Sequence, residues 1–119
     1  MTPDPILVSA TLNQNFQLFC GEDKLITVDM TGYDLASVTS LTWKMALSPY
    51  SVDEDILLTK EQSAGIAVSG TSIDITIDAT DTEDIHPDLY YHELKLVEAD
   101  GKIKVAMTGN IVLRKSIPQ

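Results

Sequence analysis

Acidic side chains crowd one short stretch of this chain, DITIDATDTEDIHPDLYYHELKL, which runs from Asp74 to Leu96. Clustered carboxylates are the ligands that Ca²⁺ prefers, because this ion binds many oxygen atoms at once. The spacing differs from that of an EF-hand loop, and the glycine of that loop is missing. A metal site and a simple corner between two strands are therefore the two interpretations. The candidate ligands are Asp78, Asp81, Glu83, Asp84 and Asp88.

The same stretch carries the signals of one helical turn over 80–85. Thr80 as N-cap and Glu83 three residues later have the spacing of a capping box. Acidic residues suit the positive N-terminal end of a helix, and Pro87 ends the helix soon afterwards. These roles explain Thr80 and Glu83 without a metal, so we favour the corner.

Histidine and cysteine are scarce, with His86, His92 and Cys20 as the whole set. Zinc sites need several close ligands, and a cysteine nucleophile needs a base beside it. We expect His92 in the core with a hydrogen bond, His86 at the surface and Cys20 as a small buried or strand-end residue. The sequence has no G-x-S-x-G, P-loop, G-x-G-x-x-G or H-E-x-x-H motif. We therefore expect no enzyme activity, catalytic residue, cofactor or metal.

Apolar and polar residues alternate along most of the chain, which is the period of a strand rather than a helix. Turn signals such as Asp100-Gly101 separate the runs, and Gly109 indicates a bulge in the last one. The pattern predicts a single domain over 1–119, an all-β, Ig-like antiparallel β-sandwich of seven to eight strands with one short helical turn at 80–85. The expected inward sets include Leu41, Trp43, Met45 and Leu47; Ile73, Ile75 and Ile77; Tyr90, His92, Leu94 and Leu96; and Ile103, Val105 and Met107.

Two aromatic residues have structural interpretations in such a sandwich. Trp43 lies mid-strand on the apolar face, where the core needs a large side chain. Tyr90 begins the strand after the acidic stretch, which is the position of the tyrosine corner, whose hydroxyl bonds back to the backbone. We expect both residues to belong to the framework.

The formal net charge of −10 makes nucleic acid and anionic membranes unfavourable partners, because both are negatively charged. No segment reaches the length of about 20 apolar residues that spans a bilayer. The N-terminal sequence lacks the features of a signal peptide, and a single cysteine suits a reducing compartment. We expect a protein made in the cytoplasm that binds neither nucleic acid nor membrane.

Several groups are candidates for contacts with a partner. The acidic run VDEDI at 52–56 is either a docking patch for a basic partner or a solvated loop. Four lysines are candidates for protecting open sheet edges from unwanted pairing: Lys24, Lys44, Lys60 and Lys104. Three tyrosines are candidates for stacking on a ligand: Tyr33, Tyr50 and Tyr91.

The order of these motifs resembles a small β-sandwich module of tailed bacteriophages and is similar to the N-terminal domain of phage baseplate upper proteins. The resemblance covers about Leu25 to Leu113. One difference is that the phage modules have a glycine before the tyrosine pair, where this chain has Asp88-Leu89. The shared features are Asp34-Leu35 before Trp43, Lys60 with Gly65-Ile66, Asp81-Thr82 in a helical turn, Tyr90-Tyr91-His92-Glu93-Leu94, Asp100-Gly101 and Gly109.

The resemblance implies a non-enzymatic structural protein of the virion, made in the host cytoplasm and placed at the tail, baseplate, neck or capsid. It implies contacts with other virion proteins in a symmetric, multi-copy or homo-oligomeric assembly. The expected contact elements are the terminal segments 1–5 and 114–119 and the loop 48–55. The alternative is a carbohydrate- or host-surface-binding module. A small enzyme or inhibitor is a third interpretation, which needs a cleft with convergent polar groups.

Overall fold

The computed structural model describes residues 6–9, 14–31, 33, 35–48, 50–51 and 53–115. The helical elements in these ranges are α1 (Ala79–Thr82) and two 3-10 turns, Leu35–Ser37 and Asp53–Asp55, and none of them is long and apolar enough to cross a membrane. The predicted all-β fold with one short α-helical turn is confirmed. The strands are β1 (Ile6–Ser9), β2 (Phe16–Phe19), β3 (Lys24–Asp29), β4 (Val38–Ala46), β5 (Ile56–Gln62), β6 (Gly65–Ser69), β7 (Ser72–Ile77), β8 (Leu89–Glu98) and β9 (Ile103–Arg114).

These strands form one continuous sheet in the order β1-β3-β7-β6-β5-β4-β8-β9-β2. The halves β3-β7-β6 and β5-β4-β8-β9 follow the strand order of the two layers of an Ig-like sandwich. The two halves are linked by a short parallel pairing of β5 with β6. In it, Glu61 pairs with Gly65 and Gln62 pairs with Ile66. With the short strands β2 and β6, the described residues contain nine strands, where seven to eight were expected.

Most strand pairings are antiparallel, as expected, but three are parallel. Five of the pairings described are antiparallel, but β1 pairs with β3, β2 with β9 and β5 with β6 in parallel. A two-residue hairpin cannot join parallel neighbours. The N-terminal strands β1 and β2 therefore lie beside strands distant in sequence, at the two ends of the sheet.

The inner faces of both halves meet in one hydrophobic core, which includes Trp43, Ile75, Leu94 and Met107, all fully buried. Most of the expected inward residues are buried, and three are not. Leu47 is 53% exposed because β4 ends at Ala46. Ile103 and Val105 are exposed for a second reason, a change of register.

The register of β8 against β9 shifts between Leu94, which pairs with Met107, and Lys95, which pairs with Val105. The extra residue, Ala106, turns Val105 to the outer face of the sheet. The bulge thus lies at Ala106, and the prediction that Gly109 marks it is wrong.

Three of the lysines expected at open edges lie elsewhere. Lys24 is on β3, between β1 and β7, and Lys44 is on β4, between β5 and β8. Lys60 is on β5, but its side chain is turned inward and only 10% exposed. The prediction is wrong for these three residues because a lysine in a strand does not reveal where the strand lies in the sheet. Lys104 begins β9 and pairs with Glu98 at 3.0 Å.

Candidate functional site

The acidic stretch forms the connection between β7 and β8, and α1 lies within it. Asp78 is the N-cap residue, and the Asp81 carboxylate accepts a hydrogen bond from the Asp78 backbone N–H at 2.7 Å. The predicted pair of Thr80 and Glu83 is therefore wrong. The helix begins earlier, where Asp78 and Asp81 have the same three-residue spacing and close the turn in the same way.

Asp81 has a second partner across the molecule, the ammonium group of Lys60 at 2.7 Å. The two side chains are 10% and 20% exposed, respectively, so this ion pair is largely shielded from water. Gly65 makes room for it, because a Cβ there would lie 2.5 Å from Lys60 Cδ. Lys60, Gly65 and Asp81 are among the residues that carry the resemblance described above. Together they hold the connection between β7 and β8 against β5.

The turn between β2 and β3 is also tied to this corner. Gly21 N–H donates a hydrogen bond of 3.0 Å to Oγ1 of Thr82, which is 1% exposed. The Asp23 carboxylate accepts one of 2.7 Å from the Ala79 N–H at the start of α1. Buried polar groups need such partners, since an unpaired one costs about 1–3 kcal/mol.

Tyr90 makes the expected tyrosine corner: its hydroxyl donates a hydrogen bond to the His86 carbonyl. Tyr90 is 4% exposed, and burial raises the pKa of its hydroxyl, which keeps the proton that the bond uses. The Asp88 carbonyl accepts a hydrogen bond of 2.9 Å from Leu113 N–H of β9. The prediction for Tyr90 is confirmed, and His86 is exposed as expected.

The five candidate Ca²⁺ ligands do not converge on one point. Asp81 faces Lys60, and Asp88 Oδ1 accepts a hydrogen bond from the neighbouring Leu89 N–H. Glu83 and Asp84 are exposed. Among the described residues, no group of three or more His, Cys, Asp or Glu side chains is arranged to hold a metal ion.

Cys20 and His92, the pair that a nucleophile and its base would need, are each engaged elsewhere. Cys20 is partly buried, with Sγ 3.5 Å from the Ile85 carbonyl oxygen. His92 is fully buried, as predicted. Its Nδ1 accepts a hydrogen bond of 3.2 Å from Trp43 Nε1–H, and its Nε2 lies 2.6 Å from the Gln14 carbonyl oxygen.

This arrangement specifies one state of the His92 ring. Trp43 can only donate, so Nδ1 carries no proton, and Nε2–H donates to Gln14. Burial lowers the pKa of His92, which favours the same neutral ring. Phe16 packs against the imidazole with ring centroids 4.8 Å apart. His92 is thus a structural histidine that fixes the segment before β2.

Gly109 lies opposite His92 in the β8–β9 register and lets the Gln14 backbone approach. A Cβ at Gly109 would lie 2.0 Å from the Gln14 carbonyl oxygen. Gln14 N–H also donates a hydrogen bond of 2.6 Å to the Thr108 carbonyl. The glycine that suggested a bulge therefore serves close contact between two backbones.

The outer face of the β4–β8 pair forms an open groove of about 380 Å³, which we call the outer groove. On β4 and β8, the residues that line the groove alternate along each strand with residues that face the core. The only sequence signal of this groove is that small hydroxyl residues alternate with the core residues of β4. The lining residues are Ser40, Thr42, Lys44, Ala46, Ser48, Ser51, Ile56, Tyr91, Glu93, Lys95, Val97 and Ile103.

Polar groups in the outer groove are partly paired with one another. Glu93 accepts a hydrogen bond of 3.3 Å from the Tyr91 hydroxyl and lies 3.6 Å from the Lys95 ammonium. Burial and the Glu93 carboxylate raise the pKa of Tyr91, so that hydroxyl remains a donor. The Lys44 ammonium has no ion-pair partner among the described residues.

The other sequence candidates are dispersed. Tyr33 packs against the core with the Lys104 ammonium 5.7 Å from its ring centre, so this tyrosine is not free to stack on a ligand. Tyr50 is 91% exposed. Within the loop 48–55, Pro49 and Val52 lie outside the described residues, as do the segments 1–5 and 116–119.

Comparison with known proteins finds structural similarity that is distant, as one example shows. No family model and no curated relative match the sequence. The chain is similar to part of a 2,6-sialyltransferase from Photobacterium sp. JT-ISH-224, with 9% identity and a TM-score of 0.41 over 96% of this chain. It spans 19% of the sialyltransferase chain. Similarity at this level carries no argument about either the fold or the activity.

Proposed function

We propose that this protein is a non-enzymatic structural component of a tailed-phage particle that contacts other virion proteins in a symmetric, multi-copy assembly. The observation that carries the proposal is the exposed outer face of β4, β8 and β9, with its open groove. Exposed apolar side chains continue this face at both ends, and such patches are typical of protein interfaces. They are Ile103 and Val105 at one end and Leu89 and Val112 at the other.

The partners of the reactive side chains support a role without catalysis. Asp81 is paired with Lys60, and Tyr90 with the His86 carbonyl. His92 is buried between Trp43 and Gln14. Catalytic acids, bases and nucleophiles must reach a substrate in a cleft, whereas these side chains connect parts of the framework.

Binding to proteins of the same particle tests this function. The purified full chain would be immobilised and exposed in turn to the capsid, neck and tail proteins encoded by neighbouring reading frames. We expect one or more to bind, and Ile103→Asp to weaken that binding because a charge enters the apolar patch. Val68→Asp is the matched control, since Val68 is 38% exposed on β6 in the other half of the sheet. No binding to any of these proteins would overturn the proposal.

A carbohydrate- or host-surface-binding module is the second candidate, and one observation favours it. Tyr91 lines the outer groove, and Thr42 and Ser48 contribute hydroxyl groups to the same lining. An aromatic ring with nearby hydroxyls is a suitable surface for a sugar. A glycan array with the wild-type chain and Tyr91→Ala tests it, since only binding that depends on Tyr91 would support this candidate.

A further inference from the structure

The outer groove carries positive charge on a strongly acidic chain. Lys44 and Lys95 line it with Glu93 as the carboxylate among the lining residues, whereas the whole chain has a net charge of −10. The Lys95 side chain is 56% exposed, and its nearest carboxylate, Glu93, is shared with the Tyr91 hydroxyl. Lys44 lies opposite Glu93 and has no ion pair among the described residues, so the groove has two ammonium groups for one carboxylate. A ligand that fits it should carry carboxylates.

The loop after β4, residues 47–55, contains three acidic residues, whose charge is complementary to that of the outer groove. Tyr50 is 91% exposed, the highest value among the exposed large hydrophobic residues described, and Leu47 is 53% exposed. The 3-10 turn Asp53–Asp55 follows, and Glu54 is exposed in it. Tyrosine is among the residues that contribute most to protein interfaces. We call this segment the projecting loop.

The groove and the loop adjoin each other in one molecule. Ser48 and Ser51 of the projecting loop, and Ile56 directly after it, line one end of the outer groove. A twofold axis that crosses the middle of the groove would place the loop of each copy over the far end of the groove of the other. Such a contact is self-complementary and closed, which is the usual form of a homodimer.

We propose that the outer groove receives the projecting loop of a second copy of this chain, so that two copies exchange loops reciprocally. Glu54 faces Lys44 and Lys95 of the other copy, and Tyr50 lies on the apolar end formed by Val97 and Ile103. This inference rests on the proposed function and identifies one partner of that assembly as the chain itself.

Sedimentation velocity on the full chain at low salt measures this contact. We expect a dimer that dissociates as salt is added, because charges at a partly exposed contact are screened over about 10 Å at 0.1 M salt. Lys44→Glu and Glu54→Lys should each weaken dimerisation roughly tenfold, since each places like charges opposite one another. Lys24→Glu, the same charge change on β3, is the control and should leave the dimer unchanged.

Mixing the variants gives the sharper test. Lys44→Glu has an acidic groove and an acidic loop, whereas Glu54→Lys keeps the basic groove and places an ammonium group between Asp53 and Asp55 in the loop. Each pairs poorly with itself, but the two together restore both contacts, so a heterodimer should form with near wild-type affinity. Tyr50→Ser should weaken the dimer without changing its dependence on salt.

Three outcomes would overturn the inference: a wild-type chain that stays monomeric at about 1 mM, a dimer insensitive to Lys44→Glu, or variants that fail to restore each other. If virion proteins still bind in those cases, the proposed function stands and only the identity of the partner is wrong. Binding of virion proteins that is weakened by Ile103→Asp but not by Lys44→Glu would also support the proposed function and contradict the dimer.

Discussion

We expect Gly109→Ala to displace the Gln14 backbone from the sheet. The new Cβ would lie 2.0 Å from the Gln14 carbonyl oxygen, 2.6 Å from its carbon and 2.9 Å from its nitrogen. All three are backbone atoms, so the segment must move as a whole. The displacement removes the hydrogen bonds from Gln14 N–H to Thr108 and from His92 Nε2–H to Gln14.

The size of the effect follows from these two bonds. Each hydrogen bond contributes about 0.5–1.5 kcal/mol, and a buried N–H left without a partner costs about 1–3 kcal/mol. We therefore expect the free energy of unfolding to fall by about 2–6 kcal/mol, a large share of the roughly 5–15 kcal/mol typical of a domain. Urea denaturation measures it, with the fluorescence of Trp43, the single tryptophan, as a local reporter.

Gly70→Ala is the control for this experiment. Gly70 has a φ of +60° and open space around its Cβ position, so the substitution costs only the strain of a left-handed backbone, about 1–2 kcal/mol. Its Trp43 emission in the folded state should match the wild type. A Gly109→Ala variant with unchanged stability and unchanged emission would refute the argument that this glycine exists to admit Gln14.

Four further predictions concern the framework. Because burial lowers the pKa of His92 from its ordinary value of 6.5, the unfolded chain binds the proton first. The contribution of His92 to the free energy of unfolding should stay constant above pH 6.5 and fall below it, by up to about 1.4 kcal/mol per pH unit until the folded-state pKa is passed, and His92→Phe should remove this part of the slope in urea titrations at several pH values. Lys60→Met keeps the side-chain length but leaves the Asp81 carboxylate without its cation, and thermal melts should show a loss of about 1–3 kcal/mol; a variant as stable as the wild type would mean that the ion pair contributes nothing. Tyr90→Phe should cost about 1 kcal/mol in urea, because only the bond to the His86 carbonyl is lost. Calorimetric titration with Ca²⁺ should release no heat and leave the melting temperature unchanged, and a rise in that temperature would restore the metal interpretation of the acidic stretch.

The sequence allowed reliable predictions where one strand and its alternation decide the outcome. Trp43, Tyr90 and His92 lie on the inner face because every second residue of their strands is apolar, and that pattern needs no knowledge of the neighbours. The predicted capping pair, Thr80 with Glu83, is wrong because Asp78 and Asp81, two residues earlier, have the same spacing and form the cap. Only the position of the last β7 pair, Lys24 with Ile77, decides that α1 begins after Asp78.

Contacts between distant segments were not predictable in this way. Nothing near Lys60 in the sequence says that its ammonium meets Asp81, because the space it crosses depends on Gly65 and on the β5–β6 pairing. The outer groove, too, is formed by strands that are distant in sequence and could not be predicted from either strand alone. It exists because β4 pairs with β8, so that Lys44 comes to lie beside Glu93.

The inner and outer faces of β4 and β8 are physically coupled, and this bears on how the groove could work. Trp43 and His92 are joined by a hydrogen bond on the inner face, and Lys44 and Glu93 are their neighbours on the outer face. Because side chains alternate strictly between faces, fixing the inner pair fixes the positions from which the outer pair projects. A binding face is more effective when it is held in place before the partner arrives, since less conformational entropy is lost. In the proposed assembly, the buried histidine would keep the binding face rigid without touching the partner.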